Sequence, residues 1–233
     1  MSKFQDYNGW ELNFFDKANN FREYQWSFFR KHIKKKILEV GPGNCVFFEK
    51  YYRISEKIFL FEPSRKFKKK LVKKFGRIKK IKILSRYDNS KYDTIIYLDV
   101  LEHIKNDEKE VLNAYNKLKS NGFLIISVPA FQHLYTQYDK KIGHFKRYNK
   151  VDFKKMFFNL KIKKYKMTYF DSIGYFFILI SKFLNISSKV NFKQSIMLWN
   201  ILIPLSKKLD FFLSKFIGKS LMVIIQKSND KPS

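Results

Sequence analysis

KKILEVGPGNC, residues 35–45, sets Ile37, Leu38 and Val40 around Glu39 and then runs without a break into Gly41-Pro42-Gly43. An apolar strand that stops on a glycine-rich bend lets a ligand approach the backbone, and a helix opening after it offers N–H groups with no intrahelical partner. An ordinary tight turn would use the same residues, so the surroundings decide. Short β-rich runs at Lys36–Val40, Lys57–Phe61, Ile78–Leu84, Thr94–Leu98 and Gly122–Val128 alternate with Lys-rich helical segments, which predicts an α/β fold with a parallel sheet covered by helices. Lys161–Tyr169 and Leu221–Gln226 supply sixth and seventh strands about fifty residues apart.

Phe21, Tyr24, Phe28 and Phe29 recur at helical spacing, which predicts an amphipathic helix leading into the first strand. Residues 106–122 read as one helix, with Asn106 or Asp107 at its N-cap, acids in its first turn and Gly122 just past its end. Arg65–Lys74 reads as a solvated helix face. The segments GYFFILISKFL (174–184) and SIMLWNILIPLSKKLDFFLSKFI (195–217) mix apolar faces with Lys, and Pro204 is expected to kink or break the second. The chain is expected to be a single domain over 1–233: an N-terminal helical segment (1–35), a sheet core (36–169 and 220–227) and a helical lid or insertion (170–219).

With 45% hydrophobic and 18% aromatic residues, the 233-residue chain is neither a disordered tail, a collagen nor a small disulfide-stapled scaffold. Its net charge of +28 invites a polyanionic partner, nucleic acid or an anionic membrane face. The excess is nearly all Lys and accompanies abundant Phe, Tyr and Asn, as AT-rich coding would produce, whereas Arg is the better reader of phosphate. Nucleic acid is therefore the less favoured partner. The single Cys45 permits no internal disulfide and fits a reducing compartment. MSKFQDYNGWELNFF (1–15) has no apolar export core, and no stretch reaches the roughly 18 apolar residues that span a bilayer. The expected location is cytoplasmic, with room for peripheral contact at the inner membrane face.

Glu62 closes the second strand in IFLFEPS, twenty-one positions after Gly41. A carboxylate at that tip can accept hydrogen bonds from ribose hydroxyls. Val46 stands where a third glycine would serve a dinucleotide pyrophosphate, so a nicotinamide cofactor is disfavoured. LEVGPG, FEPS, YDTIIYLDVLEHI (92–104) and LKSNGFLIISVPA (118–130) together resemble the successive motifs of the class I S-adenosylmethionine-dependent methyltransferases. FREYQWSFFRKHI (21–33), YDKKIGHFKRYNKVDF (138–153) and GKSLMVIIQK (218–227) extend the resemblance to a bacterial subgroup sometimes joined to glycosyltransferases.

The resemblance implies a doubly wound, mostly parallel seven-stranded Rossmann-like sheet with S-adenosyl-L-methionine as cofactor. Glu39 and Gly41, Pro42 and Gly43 would face its methionine portion, Glu62 its ribose, and Asp99 and Val100 the floor near the sulfonium. For Asp99 a turn or capping carboxylate is the alternative. SRYDNSKYD (85–93) is shorter than the family's usual loop, leaving Ser85 and Asp88 as weak adenine candidates. His103 and His144 are the candidate catalytic bases, and His144, Arg147 and Tyr148 the candidate acceptor contacts. A structural histidine and a self-pinned surface loop are the competing readings. Met156, Phe157 and Phe158 read as core. Glu102 and His103 are adjacent, and neighbours on a helix point apart, so no metal is expected. The implied reaction is methyl transfer to a hydroxyl or similar nucleophile of a small, sugar-containing or lipid-linked acceptor. The alternatives are an RNA methyltransferase, favoured by the charge and directed to ribose because no Asn-Pro-Pro-Tyr or Asp-Pro-Pro-Tyr for adenine-amino chemistry follows the fourth strand, and a cofactor-binding or membrane-adaptor protein without turnover.

Overall fold

The computed structural model describes residues 9–184 and 192–229. Residues 1–8, part of the stretch read for export, and 185–191, inside the insertion, lie outside the described residues.

Seven strands, β1 (Lys36–Val40), β2 (Lys57–Phe61), β3 (Ile81–Leu84), β4 (Tyr92–Leu98), β5 (Leu118–Pro129), β6 (Ile162–Phe170) and β7 (Ser220–Lys227), form one sheet in the order β3-β2-β1-β4-β5-β7-β6. β7 runs antiparallel to both of its neighbours, so β1 to β6 share one direction. Strands buried on both faces read as near-continuous apolar runs, and alternate residues feed opposite layers. Leu38, Phe59, Ile95 and Leu124 enter one core, while Ile37, Ile58, Ile96 and Ile125 enter the other. The first core is closed by α5 (Asp107–Asn116) and α7 (Lys150–Phe157), the second by α2 (Asn19–Phe29), α3 (Phe48–Tyr52), α4 (Arg65–Phe75) and α9 (Phe192–Leu213), with Phe15 of the short α1 (Leu12–Phe15) packed against it. The chain steps from β1 outward to β2 and β3 and then returns to β4 on β1's other side. This reversal opens a crevice at the carboxyl ends of β1 and β4, where open α/β sheets bind ligands.

Several element boundaries differ from the sequence reading. The strand expected over Ile78–Leu84 begins at Ile81, because Ile78 and Ile81 each close a turn, onto the Phe75 and Ile78 carbonyls. The helix expected over 106–122 ends at Asn116, since Leu118 already pairs with Tyr92 and Asn121 takes φ 56°. Gly122 therefore sits inside β5, where a Cβ would lie 2.8 Å from the Lys119 carbonyl. Asn106 occupies the N-cap position of α5 without a side-chain cap bond. Finally, α9 runs through Pro204 as one helix. Proline leaves the carbonyl four residues earlier without its donor, and here the Asn20 Nδ2 donates to the Asn200 carbonyl at 3.0 Å instead.

The chain leaves β6 at the carboxyl edge, passes through α8 (Ser172–Phe183) and α9, and returns at β7. Two buried carboxylates tie this segment down. Asp171, at φ 64°, accepts from Gly174 N at 2.9 Å, Trp199 Nε1 at 2.7 Å and Ser206 Oγ at 3.2 Å. Asp210 accepts from the Asp171 and Ser172 amides and from the Tyr24 hydroxyl of α2. Trp199 and Ile203 are buried, yet Phe183, Ile201, Phe211 and Phe212 on the same two helices are exposed. No helix among the described residues is long and apolar enough to cross a membrane.

Candidate active site

A cavity of about 1580 Å³ opens at the carboxyl edge of the sheet, bounded by the tips of β1, β2 and β4, by the chain after β5, and by α8 and α9. Its first wall is the glycine bend. Gly41 (φ 63°) and Gly43 (φ 55°) both take the left-handed region that glycine adopts without strain. A Cβ on Gly41 would meet Val100 Cγ2 at 2.8 Å, so the bend packs directly against the tip of β4. The Gly41 amide donates to the Phe61 carbonyl at 2.8 Å. Glu62 buckles the bend to β2: its carboxylate accepts from Gly43 N at 3.0 Å and Ser64 N at 2.8 Å. Burial raises the Glu62 pKa against the pull of those two amides.

Glu39 is buried at the end of β1, where it accepts from the Tyr51 hydroxyl and lies 3.8 Å from Cys45 Sγ. Desolvation pushes its carboxyl up to about 7. Asp99 adopts φ 57° at the tip of β4 and accepts from Arg22 Nη1 at 3.2 Å, Gln25 Nε2 at 3.4 Å and Ser127 Oγ at 3.4 Å. The carboxylate thus ties α2 to the sheet while facing the cavity. Ser85 and Asp88 lie off the cavity: Ser85 accepts from Lys68, and Asp88 from Tyr92 and Ser90.

The opposite wall is built around Asp139. This buried carboxylate accepts from Thr136 N and Oγ1, closing a capping box at α6 (Gln137–Lys141), and from Arg147 Nε at 2.9 Å and Nη2 at 3.0 Å. His144 Nδ1 completes its shell at 2.9 Å. Burial alone would raise the Asp139 carboxyl, but the His144 hydrogen bond and the Arg147 guanidinium hold it far below the carboxylate range. The Arg147 fork, expected to meet an acceptor, is therefore engaged bidentately within its own loop, although the residue borders the cavity. Tyr148 is fully buried away from the cavity and bonds the Leu101 carbonyl and Asp107 Oδ2.

His103 and Glu102 stand in a 3-10 turn, Leu101–His103, beside this wall. Adjacent side chains diverge on an α-helix, but the tighter turn does not separate these two: ligand atoms of Glu102, His103 and His144 all lie within 4.8 Å of one another. Adjacency in sequence therefore does not keep Glu102 and His103 apart. Burial and the neighbouring His144 lower the His103 pKa to about 3, leaving it neutral at physiological pH. Burial, followed by the charge of Asp99, raises Glu102 well above the usual carboxylate value.

Arg22, Trp199 and Lys219 are among the cavity residues that the sequence reading did not single out. The Lys219 ammonium sits 3.3 Å from the centroid of the Trp199 ring and 3.4 Å from Asp171, and burial lowers its pKa to about 8. These residues come to one cavity from opposite ends of the chain, so no local spacing marks them.

Among solved structures the fold is similar to an S-adenosylmethionine-dependent methyltransferase from Archaeoglobus fulgidus, at 15% identity, covering 93% of this chain and 97% of that one with a TM-score of 0.57. It is also similar to phosphoethanolamine N-methyltransferase 2 of Haemonchus contortus, solved with phosphomonomethylethanolamine and S-adenosylhomocysteine, at 12% identity, 94% and 58% coverage and TM-score 0.62. The N-methyltransferase NodS of Bradyrhizobium japonicum WM9 bound to S-adenosylhomocysteine gives 11% identity, 94% and 92% coverage and TM-score 0.57. No curated protein sequence matches the chain. A family model described as a methyltransferase domain matches residues 15–160, and on that match, with the sheet order above, the chain belongs to the methyltransferase-domain family in its class I, Rossmann-like form.

Proposed function

We propose that the chain transfers the methyl group of S-adenosyl-L-methionine to a hydroxyl or similar nucleophile of a small, sugar-containing or lipid-linked acceptor. The observation that carries this reading is the bend itself: two positive-φ glycines, held to the β2 tip by Glu62, at the switch point of the sheet. Glu39 and Gly41–Gly43 take the methionine end, Glu62 the ribose, and Asp99 and Val100 the floor beneath the sulfonium. The cofactor brings an activated methyl group, so the protein has only to position the acceptor, exclude water and let a proton leave. The wall of Glu102, His103 and His144 receives the nucleophile, and Arg147 fixes that wall through Asp139. A lipid-linked acceptor is favoured by the insertion: Phe177, Ile180 and Leu198 border the cavity and are themselves exposed, next to exposed Phe183 and Ile201. Apolar helices flanked by Lys suit an anionic leaflet.

Thermal unfolding with S-adenosylhomocysteine tests the cofactor assignment. Ligand at about 100 times its dissociation constant stabilises the native state by about 2.7 kcal/mol. Glu62→Ala, which removes the proposed ribose acceptor, is expected to shrink that shift at equal ligand concentration; an unchanged shift contradicts the assignment. The affinity should also depend on pH. The Glu39 carboxyl, raised to about 7, is protonated in the free protein below that pH and must ionise to face the cofactor's ammonium. Affinity is thus highest above pH 7 and falls as the pH drops, approaching about tenfold per unit. Calorimetric titrations from pH 5.5 to 8.5 should show this slope in the wild type and not in Glu39→Gln.

A further inference from the structure

The second wall contains an arrangement that the methyl-transfer reading leaves unexplained. Glu102 is 1% exposed, and neither of its carboxyl oxygens has a hydrogen-bond partner among the described residues. Its Oε1 lies 3.7 Å from His144 Nε2, too far for a hydrogen bond. His144 Nδ1 faces Asp139, which is already paired bidentately with Arg147 and is therefore an ionised acceptor. The ring proton must then sit on Nδ1, leaving the Nε2 lone pair aimed at Glu102. A proton on Glu102 would not join the two groups, since 3.7 Å is too far for it to be shared with Nε2, whereas a cation between them would satisfy both. His103 completes the set, its ring T-shaped to that of His144 at 4.7 Å, with a hydrogen bond to the backbone of Gly143 fixing its orientation. All three side chains border the cavity.

We propose that Glu102, His103 and His144 bind a divalent transition-metal ion on the acceptor side of the cavity. One carboxylate and two imidazoles make a donor set that suits Mn²⁺, Fe²⁺, Co²⁺ or Zn²⁺ and leaves coordination positions open toward the substrate. The Asp139–His144 contact has the form of an outer carboxylate that holds a metal-bound imidazole in one tautomer. Ligands at about 2.1 Å from a metal stand roughly 3 to 3.5 Å apart, so the 3.7 Å pair needs little adjustment. The inference rests on this wall being the acceptor end, and it makes the two imidazoles ligands rather than proton acceptors. A hydroxyl bound to the ion becomes more acidic and gives its proton to water. Its oxygen then bonds the methyl carbon as the carbon–sulfur bond breaks, and that electron pair returns to sulfur to leave the neutral thioether product.

The test strips the protein with chelator, removes the chelator by dialysis, and titrates in Mn²⁺, followed by the electron paramagnetic resonance of the free ion, and Co²⁺, followed by visible absorption. The wild type is expected to bind one equivalent, with cobalt bands typical of imidazole ligation. Glu102→Gln and His144→Ala should each weaken binding at least tenfold. S-adenosylhomocysteine affinity, read by thermal shift in the same samples, should stay within about twofold throughout. Absence of saturable binding of either ion to the wild type overturns the metal site without calling on any variant, as does binding that both substitutions leave unchanged. Loss of S-adenosylhomocysteine binding in the untreated wild type would instead overturn the cofactor reading.

Discussion

Gly41→Val is expected to lower the affinity for S-adenosylhomocysteine at least 100-fold and to cost about 3 kcal/mol of stability. The residue sits at φ 63°, where a β-branched side chain is strained, and its first added carbon would press on Val100 at 2.8 Å. Relief requires either the bend or the tip of β4 to move, and both are proposed to touch the cofactor. A 100-fold change corresponds to about 2.7 kcal/mol of binding energy, well above the loss expected from deleting one ribose acceptor. Calorimetry on the folded variant, with denaturant unfolding alongside, separates the two effects. An affinity within threefold of the wild type would mean that the ligand does not lie against the bend.

Arg147→Ala is expected to cost about 3 to 5 kcal/mol of stability and to lower turnover at least 100-fold, while S-adenosylhomocysteine affinity stays within about twofold. The stability loss follows from removing one partner of a buried ion pair, which leaves a charge uncompensated. Asp139 would keep its Thr136 and His144 contacts but lose both guanidinium bonds. Since Asp139 orients His144, the acceptor wall loosens, while the glycine bend and Glu62 keep contacts of their own. Lys is not expected to rescue the variant, because a point charge cannot reproduce the two parallel bonds. Urea unfolding, single-turnover assays and ligand titration check the three parts. Equal loss of turnover and cofactor affinity would contradict this division between the walls.

The sheet was legible because its strands announce themselves locally: Ile37, Leu38 and Val40 end on a glycine bend, and the second and fourth runs end on the polar tip residues Glu62 and Asp99. The α5–β5 boundary was not. Lys117 to Asn121 carry no strong local preference, and pairing of Leu118 with Tyr92 decides their conformation from outside. That Pro204 does not break α9 was hidden for a related reason, since the donor that takes up the freed Asn200 carbonyl comes from Asn20, far away in sequence. At the site, His144 and Arg147 were recognisable as an unusual polar pair, but Asp139 as their shared partner emerges only when the loop folds back around Gly143. The convergence of Glu102 with both imidazoles was hidden by treating the residues after β4 as an α-helix rather than a 3-10 turn.

A crystal structure of the protein grown with S-adenosylhomocysteine bears most directly on the account. The ribose hydroxyls should lie within hydrogen-bond distance of Glu62, with the amino-acid end over the Gly41–Gly43 bend. A ligand bound elsewhere, with the Glu62 carboxylate facing only its two backbone amides, would contradict it.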